Sequence, residues 1–144
     1  MFGIIVGTHG DFANGILQSC EMIYGTRDKL KAVTLVPGEG PDDVVAKYEK
    51  AIKELGTEKV LFLNDLMGGS PYNAACRLVA TNENYGIVTG VNLPMLIAMS
   101  GAQDADDGSA TIAELMEQAA QAGKDGTVVS SYESLNVEDE EDEL

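Results

Sequence analysis

The chain holds a single histidine, His9, in the segment Thr8-His9-Gly10-Asp11 that follows the apolar run Phe2–Val6. A neutral imidazole carries one proton. A carboxylate that accepts it from one ring nitrogen fixes the tautomer and leaves the other nitrogen a free lone pair. Such a nitrogen can attack phosphorus, and phosphoryl transfer asks of a protein chiefly positioning and charge stabilisation. Asp65, which follows the apolar run Val60–Leu63, is the candidate partner. It would orient the ring and offset the positive charge that grows as an N–P bond forms. Just beyond it stands Gly68-Gly69-Ser70-Pro71. Two residues without side chains lead here into a helix start, with Ser70 read as the N-cap and Pro71 as the first helical residue. The backbone N–H groups and dipole of such a start attract anions. Plainer chemistry accounts for the same residues: a lone histidine is often structural, Asp65 can be a solvated loop carboxylate, and the glycines and serine can be a turn with a cap.

Bringing these loops together requires alternating strands and helices, and the hydrophobic pattern supplies them. Phe2–Val6, Ala32–Val36, Val60–Leu63 and Tyr85–Thr89 read as short strands. Asp11–Tyr24 carries apolar residues at helical spacing (Phe12, Ile16, Leu17, Cys20, Ile23, Tyr24). Pro41 with Asp42 and Asp43 opens a second helix with the stripe Val44, Val45, Tyr48, Ile52 and Leu55. A third helix runs from Ser70 to about Ala80, a short one follows Pro94, and a last one covers Thr111–Ala122, with Gly101–Ser109 read as a loop. Thr127–Tyr132 reads as a fifth strand. The expected architecture is a single three-layer α/β domain over residues 1–132, with a mainly parallel central sheet and helices on both faces. Residues 133–144 read as an acidic, disordered tail. In an open sheet of this kind ligands bind at the carboxyl ends of the strands. That edge would gather His9, the segment Asp65 to Ser70, and Gly90 to Pro94, with Thr8, Gly10 and Asn92 at its rim.

Charge narrows the partners. Acidic residues outnumber basic ones 24 to 9, a net charge of −15, part of it in the unbroken run Glu138–Glu143. Nucleic-acid binding needs clustered Lys and Arg and is excluded as an expectation; a basic protein partner suits this surface. Cys20 and Cys76 read as packing thiols in a reducing compartment. With one histidine they are too few and too scattered for a structural zinc site, so no metal or cofactor is expected. No stretch reaches the roughly 18 apolar residues of a membrane span, and the N-terminus lacks the basic region of a signal peptide. The expectation is a soluble, cytoplasmic protein.

Three stretches together resemble the mannose-family IIA component of the phosphoenolpyruvate-dependent sugar phosphotransferase system (PTS). They are Gly7-Thr8-His9-Gly10, then Val60-Leu61-Phe62-Leu63-Asn64-Asp65-Leu66-Met67-Gly68-Gly69-Ser70-Pro71-Tyr72-Asn73-Ala74-Ala75, then Gly90-Val91-Asn92-Leu93-Pro94-Met95-Leu96. The resemblance implies a phosphorylated histidine at His9, a histidine-orienting aspartate at Asp65, and phosphate contacts from Gly68, Gly69 and the Ser70 hydroxyl; the Asn92 loop would line the same edge. It implies phosphate received from the phosphocarrier HPr and passed to a IIB component, with the IIC and IID membrane components downstream. It also implies a homodimer in which the last strand, here Thr127–Tyr132, exchanges between subunits. No fused IIB domain is expected in so short a chain, which would act as a separate subunit.

Other readings make different demands. The phosphoryl-donor subunit of a PTS-dependent dihydroxyacetone kinase shares the fold and the early histidine, but Gly-Gly-Ser-Pro-Tyr-Asn and Val-Asn-Leu-Pro favour sugar transport. A hydrolase built on Ser70, His9 and Asp65 has the residue types of a triad, yet Ser70 precedes a proline and lacks the Gly-x-Ser-x-Gly elbow. A nucleotide-binding module would need a glycine spacing or a P-loop Lys-Ser/Thr that is absent here. A purely regulatory protein would keep His9 but need no onward acceptor.

Overall fold

The structure, a computed structural model, describes the backbone of residues 1–142 and side chains through Val137. Four parallel strands, β1 (Gly3–His9), β2 (Leu30–Leu35), β3 (Val60–Asn64) and β4 (Tyr85–Thr89), form one sheet in the order β2-β1-β3-β4. The intervening helices are α1 (Phe12–Tyr24), α2 (Pro41–Leu55) and α3 (Gly69–Val79); α4 (Leu93–Ala105), α5 (Ile112–Asp125) and α6 (Tyr132–Asp142) follow β4.

Alternation along the strands divides the core into two layers. Ile4, Val6, Leu61 and Leu63 pack with Ala13, Ile16 and Cys20 of α1, with Met95, Leu96 and Met99 of α4, and with Leu115 and Ala119 of α5. Ile5, Phe62 and Val60 face the other way, onto Val44, Tyr48 and Leu55 of α2 and Ala74 and Ala75 of α3. Both faces of the sheet are therefore covered, as a parallel sheet requires. The expected three-layer α/β arrangement is the observed one.

Several local readings change. Gly101–Ala105 belongs to α4, which is a full thirteen-residue helix rather than a short one. Phe12 and Ile23, assigned to the apolar stripe of α1, are 49% and 61% exposed, and Ala13 is buried in their place. Cys20 is buried, but Cys76 is only half-buried. The segment expected as a fifth strand forms none: residues 127–131 have no regular structure, Val129 is 91% exposed, and Tyr132 already opens α6. Its β-branched composition favours a pleated, half-covered surface only when a neighbouring strand supplies one. The acidic tail expected to be disordered is helical through Asp142, while residues 143 and 144 lie outside the described residues.

Candidate functional site

The strand order dictates where a site can form. From β1 the chain crosses to β2 on one side, and from β3 it crosses to β4 on the other. The carboxyl ends of β1 and β3 thus diverge into a crevice at the topological switch point. Gly7 pairs with Asn64 at the last rung, so the next residues along each strand, Thr8-His9 and Asp65, emerge side by side.

His9 and Asp65 meet there. The Asp65 Oδ2 atom accepts the His9 backbone N–H at 3.0 Å and lies 2.8 Å from the His9 Nδ1. Its Oδ1 accepts the Leu66 backbone N–H at 3.0 Å. Partial burial pushes the Asp65 carboxyl up. The His9 backbone N–H, the His9 ring and the Leu66 N–H outweigh this and hold it below its ordinary value. The carboxyl is therefore ionised at neutral pH and can only accept. In the neutral imidazole this puts the proton on Nδ1 and the lone pair on Nε2.

The free nitrogen faces the start of α3. A Cβ on Gly69 would lie 2.9 Å from both Nε2 and Cε1 of His9, so the glycine leaves the space in front of the ring open. Gly68 and Gly69 also have φ of +96° and +78°, backbone that L side chains resist. Gly68 occupies the N-cap position of α3 and no side chain caps it, so Ser70 is not the cap that its place before Pro71 suggests. Ser70 is half-buried. An anion beside Nε2 would thus meet the N-terminus of α3 with no competing side chain at position 69.

The residues expected at the rim divide. Gly10 turns the chain out of β1 with φ of +56° while its N–H bonds to Leu35 O at 2.8 Å. Thr8 is fully buried, and its Oγ1 accepts the Ala13 N–H at 2.8 Å, so its role is to hold the start of α1. Asn92 caps α4 through Met95 N–H and donates to Gly123 O of α5. It borders a hollow of about 500 Å³ against Phe12 and Ile16 of α1. Its polar atoms are thereby engaged away from the imidazole.

The EIIA-man family, described as PTS system fructose IIA component, matches residues 3–119. The chain belongs to this family. The mannose-specific EIIAB component of Escherichia coli K12 is 40% identical over 124 residues, 85% of this chain. Those residues make up 38% of that relative, so the chain spans well under half of its length. The fructose-specific EIIA component of Bacillus subtilis is 41% identical over 98 residues, 67% of each chain. Among solved structures, a PTS component EIIA from Streptococcus agalactiae superposes with a TM-score of 0.80 at 26% identity, covering 90% of this chain and 97% of that one. A mannose/sorbose-specific IIA subunit from Enterococcus faecalis gives 0.76 at 29% identity, covering 90% and 94%. For this IIA chain, the loops that carried the resemblance are those that build the β1–β3 crevice and the start of α4.

What sequence reasoning passed over is the support beneath the crevice. In sequence, Tyr48 reads only as part of the apolar stripe of α2, and Asn64 carries no role. A polar residue closing the apolar strand Val60–Asn64 was the available signal.

Proposed function

We propose that this IIA chain is a phosphoryl carrier of a sugar phosphotransferase system, with His9 Nε2 as the acceptor. The observation that carries the reading is the 2.8 Å contact of His9 Nδ1 with an ionised Asp65, opposite a free Nε2 that faces Gly69. In the forward step the Nε2 lone pair attacks the phosphorus of phospho-HPr. The N–P bond forms, the bond from phosphorus to HPr breaks, and the Nδ1 proton stays in place. The ring gains positive charge, which Asp65 offsets. The phosphoryl oxygens meet the N–H groups at the start of α3 and the Ser70 hydroxyl. Transfer onward to a IIB component is the same step in reverse, with IIB supplying the nucleophile that takes the phosphoryl group towards the sugar.

The surroundings suit protein partners. His9 is 45% exposed, and the apolar side chains of Phe12, Leu66 and Met67, in the segments that follow β1 and β3, are exposed as well. With a net charge of −15, such a surface attracts a basic partner and speeds encounter. No helix among the described residues is long and apolar enough to cross a membrane. A cytoplasmic homodimer, with the segment Thr127–Tyr132 exchanged between subunits, belongs to the same reading. The dihydroxyacetone-kinase and hydrolase alternatives gain no support from the relatives named above.

Reconstitution tests the proposal. With phosphoenolpyruvate, its phosphotransferase kinase and HPr, the chain takes up one acid-labile phosphate and yields it to a IIB acceptor. Label that is stable to acid, or that persists in His9→Ala, would refute it.

A further inference from the structure

Beneath the crevice, two buried polar side chains touch all three elements that form it. The Asn64 amide nitrogen donates to Gly7 O of β1 at 2.9 Å and to the Tyr48 hydroxyl at 3.1 Å. The Tyr48 hydroxyl donates to Pro71 O, in the first turn of α3, at 2.8 Å. The direction of this chain is fixed by its ends. Gly7 O and Pro71 O are carbonyls and can only accept, so the amide must present its nitrogen and the phenol must give its proton. Burial pushes the Tyr48 phenol well above its ordinary value, which keeps that proton in place.

Resting on the reading of His9 as phosphoryl acceptor, we propose that Tyr48 and Asn64 are positioning residues that set the α3 N-terminus against His9 Nε2. Asn64 clamps β1 to β3 directly below the His9–Asp65 pair. Tyr48 extends the clamp to Pro71, two residues beyond Gly69. The arrangement is built at a cost. Asn64 Oδ1 is buried without a hydrogen-bond partner among the described residues, a penalty that an apolar residue would avoid. Gly7 must lack a side chain, because a Cβ there would overlap the Tyr48 hydroxyl. Neither feature improves the packing of Val44, Phe62 and Leu55 around Tyr48, which an apolar ring would serve as well. Both are explained if the hydroxyl and amide are kept for where they place the helix start. Transfer rates are sensitive to ångström-scale misplacement of the reacting groups.

Tyr48→Phe, Asn64→Leu and the double variant test this, each with two readouts. In single-turnover transfer from saturating phospho-HPr, each single variant should slow the rate constant by about tenfold. The double variant should be no slower than the worse single, because the pair acts as one unit. Label should still reach one phosphate per chain, and the phospho-HPr concentration for half-maximal rate should stay within about twofold; a merely structural defect would lower the labelled fraction instead. By NMR, the unphosphorylated Tyr48→Phe protein should move the Gly69 and Ser70 amide resonances while the His9 Nδ1–H signal stays in place. A Tyr48→Phe protein with wild-type rate and unmoved Gly69 and Ser70 amides overturns the positioning role, even though the wild type is labelled on His9. If Tyr48→Phe is unstable, a wild-type rate in folded Asn64→Leu overturns it equally. A wild type that takes no label overturns the phosphoryl-carrier reading itself, a failure seen before any variant is compared.

Discussion

Replacing Asp65 by asparagine separates orientation of the ring from charge. The carboxylate serves three donors: Oδ2 takes the His9 N–H and the Nδ1 proton, and Oδ1 takes the Leu66 N–H. An amide of the same shape has one acceptor. If its oxygen turns to His9, the tautomer survives, but its NH2 faces the Leu66 N–H. In either orientation the negative charge is gone. Hydrogen bonds to a charged partner contribute about 1.5–3 kcal/mol, against about 0.5–1.5 for neutral pairs. The resting ring therefore loses about 1–1.5 kcal/mol of support. The loss grows during transfer, because the ring becomes cationic as the N–P bond forms and Asp65, only 13% exposed, is poorly replaced by water. A transition-state deficit of about 1.4–2.7 kcal/mol corresponds to a roughly 10- to 100-fold slower reaction. Rapid-quench, single-turnover transfer from labelled phospho-HPr measures it, with circular dichroism confirming the fold. An Asp65→Asn rate within twofold of the wild type would refute the reasoning and remove Asp65 from the mechanism.

Three further outcomes follow from the same geometry. Gly69→Ala meets both a φ of +78° and a Cβ position 2.9 Å from His9 Nε2; the backbone term of about 1–2 kcal/mol lowers the thermal midpoint by several degrees, and transfer falls by more than the lost stability explains. Ser70→Ala leaves the midpoint unchanged within a degree or two but slows transfer about tenfold or more, as loss of a donor to the moving charge does. Because the Asp65 pKa is depressed in the folded protein from its ordinary 3.8, its stabilisation is complete above about pH 4 and is lost as pH falls through the lower folded value. Urea unfolding across that range should show a shallower acid loss in Asp65→Asn than in the wild type, and parallel curves would contradict it.

The placement of His9 and Asp65 was legible because it depends on order alone: an apolar run ends, a polar residue follows, and a parallel sheet brings such ends to one edge. The start of α3 was misread because Ser-Pro is a strong capping signal, whereas the cap position falls on Gly68 and no side chain fills it. α4 looked short because Leu93–Ala105 is apolar around much of its circumference and shows little periodicity. Thr127–Tyr132 has strand composition, yet a strand also needs an edge to pair with, and composition does not reveal one. Asn92 was legible from its loop, but its bonds to the α4 start and to Gly123 of α5 were not. The Tyr48–Asn64 pair was hidden for a related reason: its partners lie on Gly7 and Pro71, far away in sequence.

The nitrogen that carries the phosphate tests the central claim most directly. Phosphorus and nitrogen NMR of the protein phosphorylated through HPr should give one phosphoramidate signal, on Nε2 of His9, with Nδ1 still protonated and coupled to Asp65. A phosphate on Nδ1, or on any residue other than His9, would contradict an imidazole held from one side by a carboxylate and open on the other.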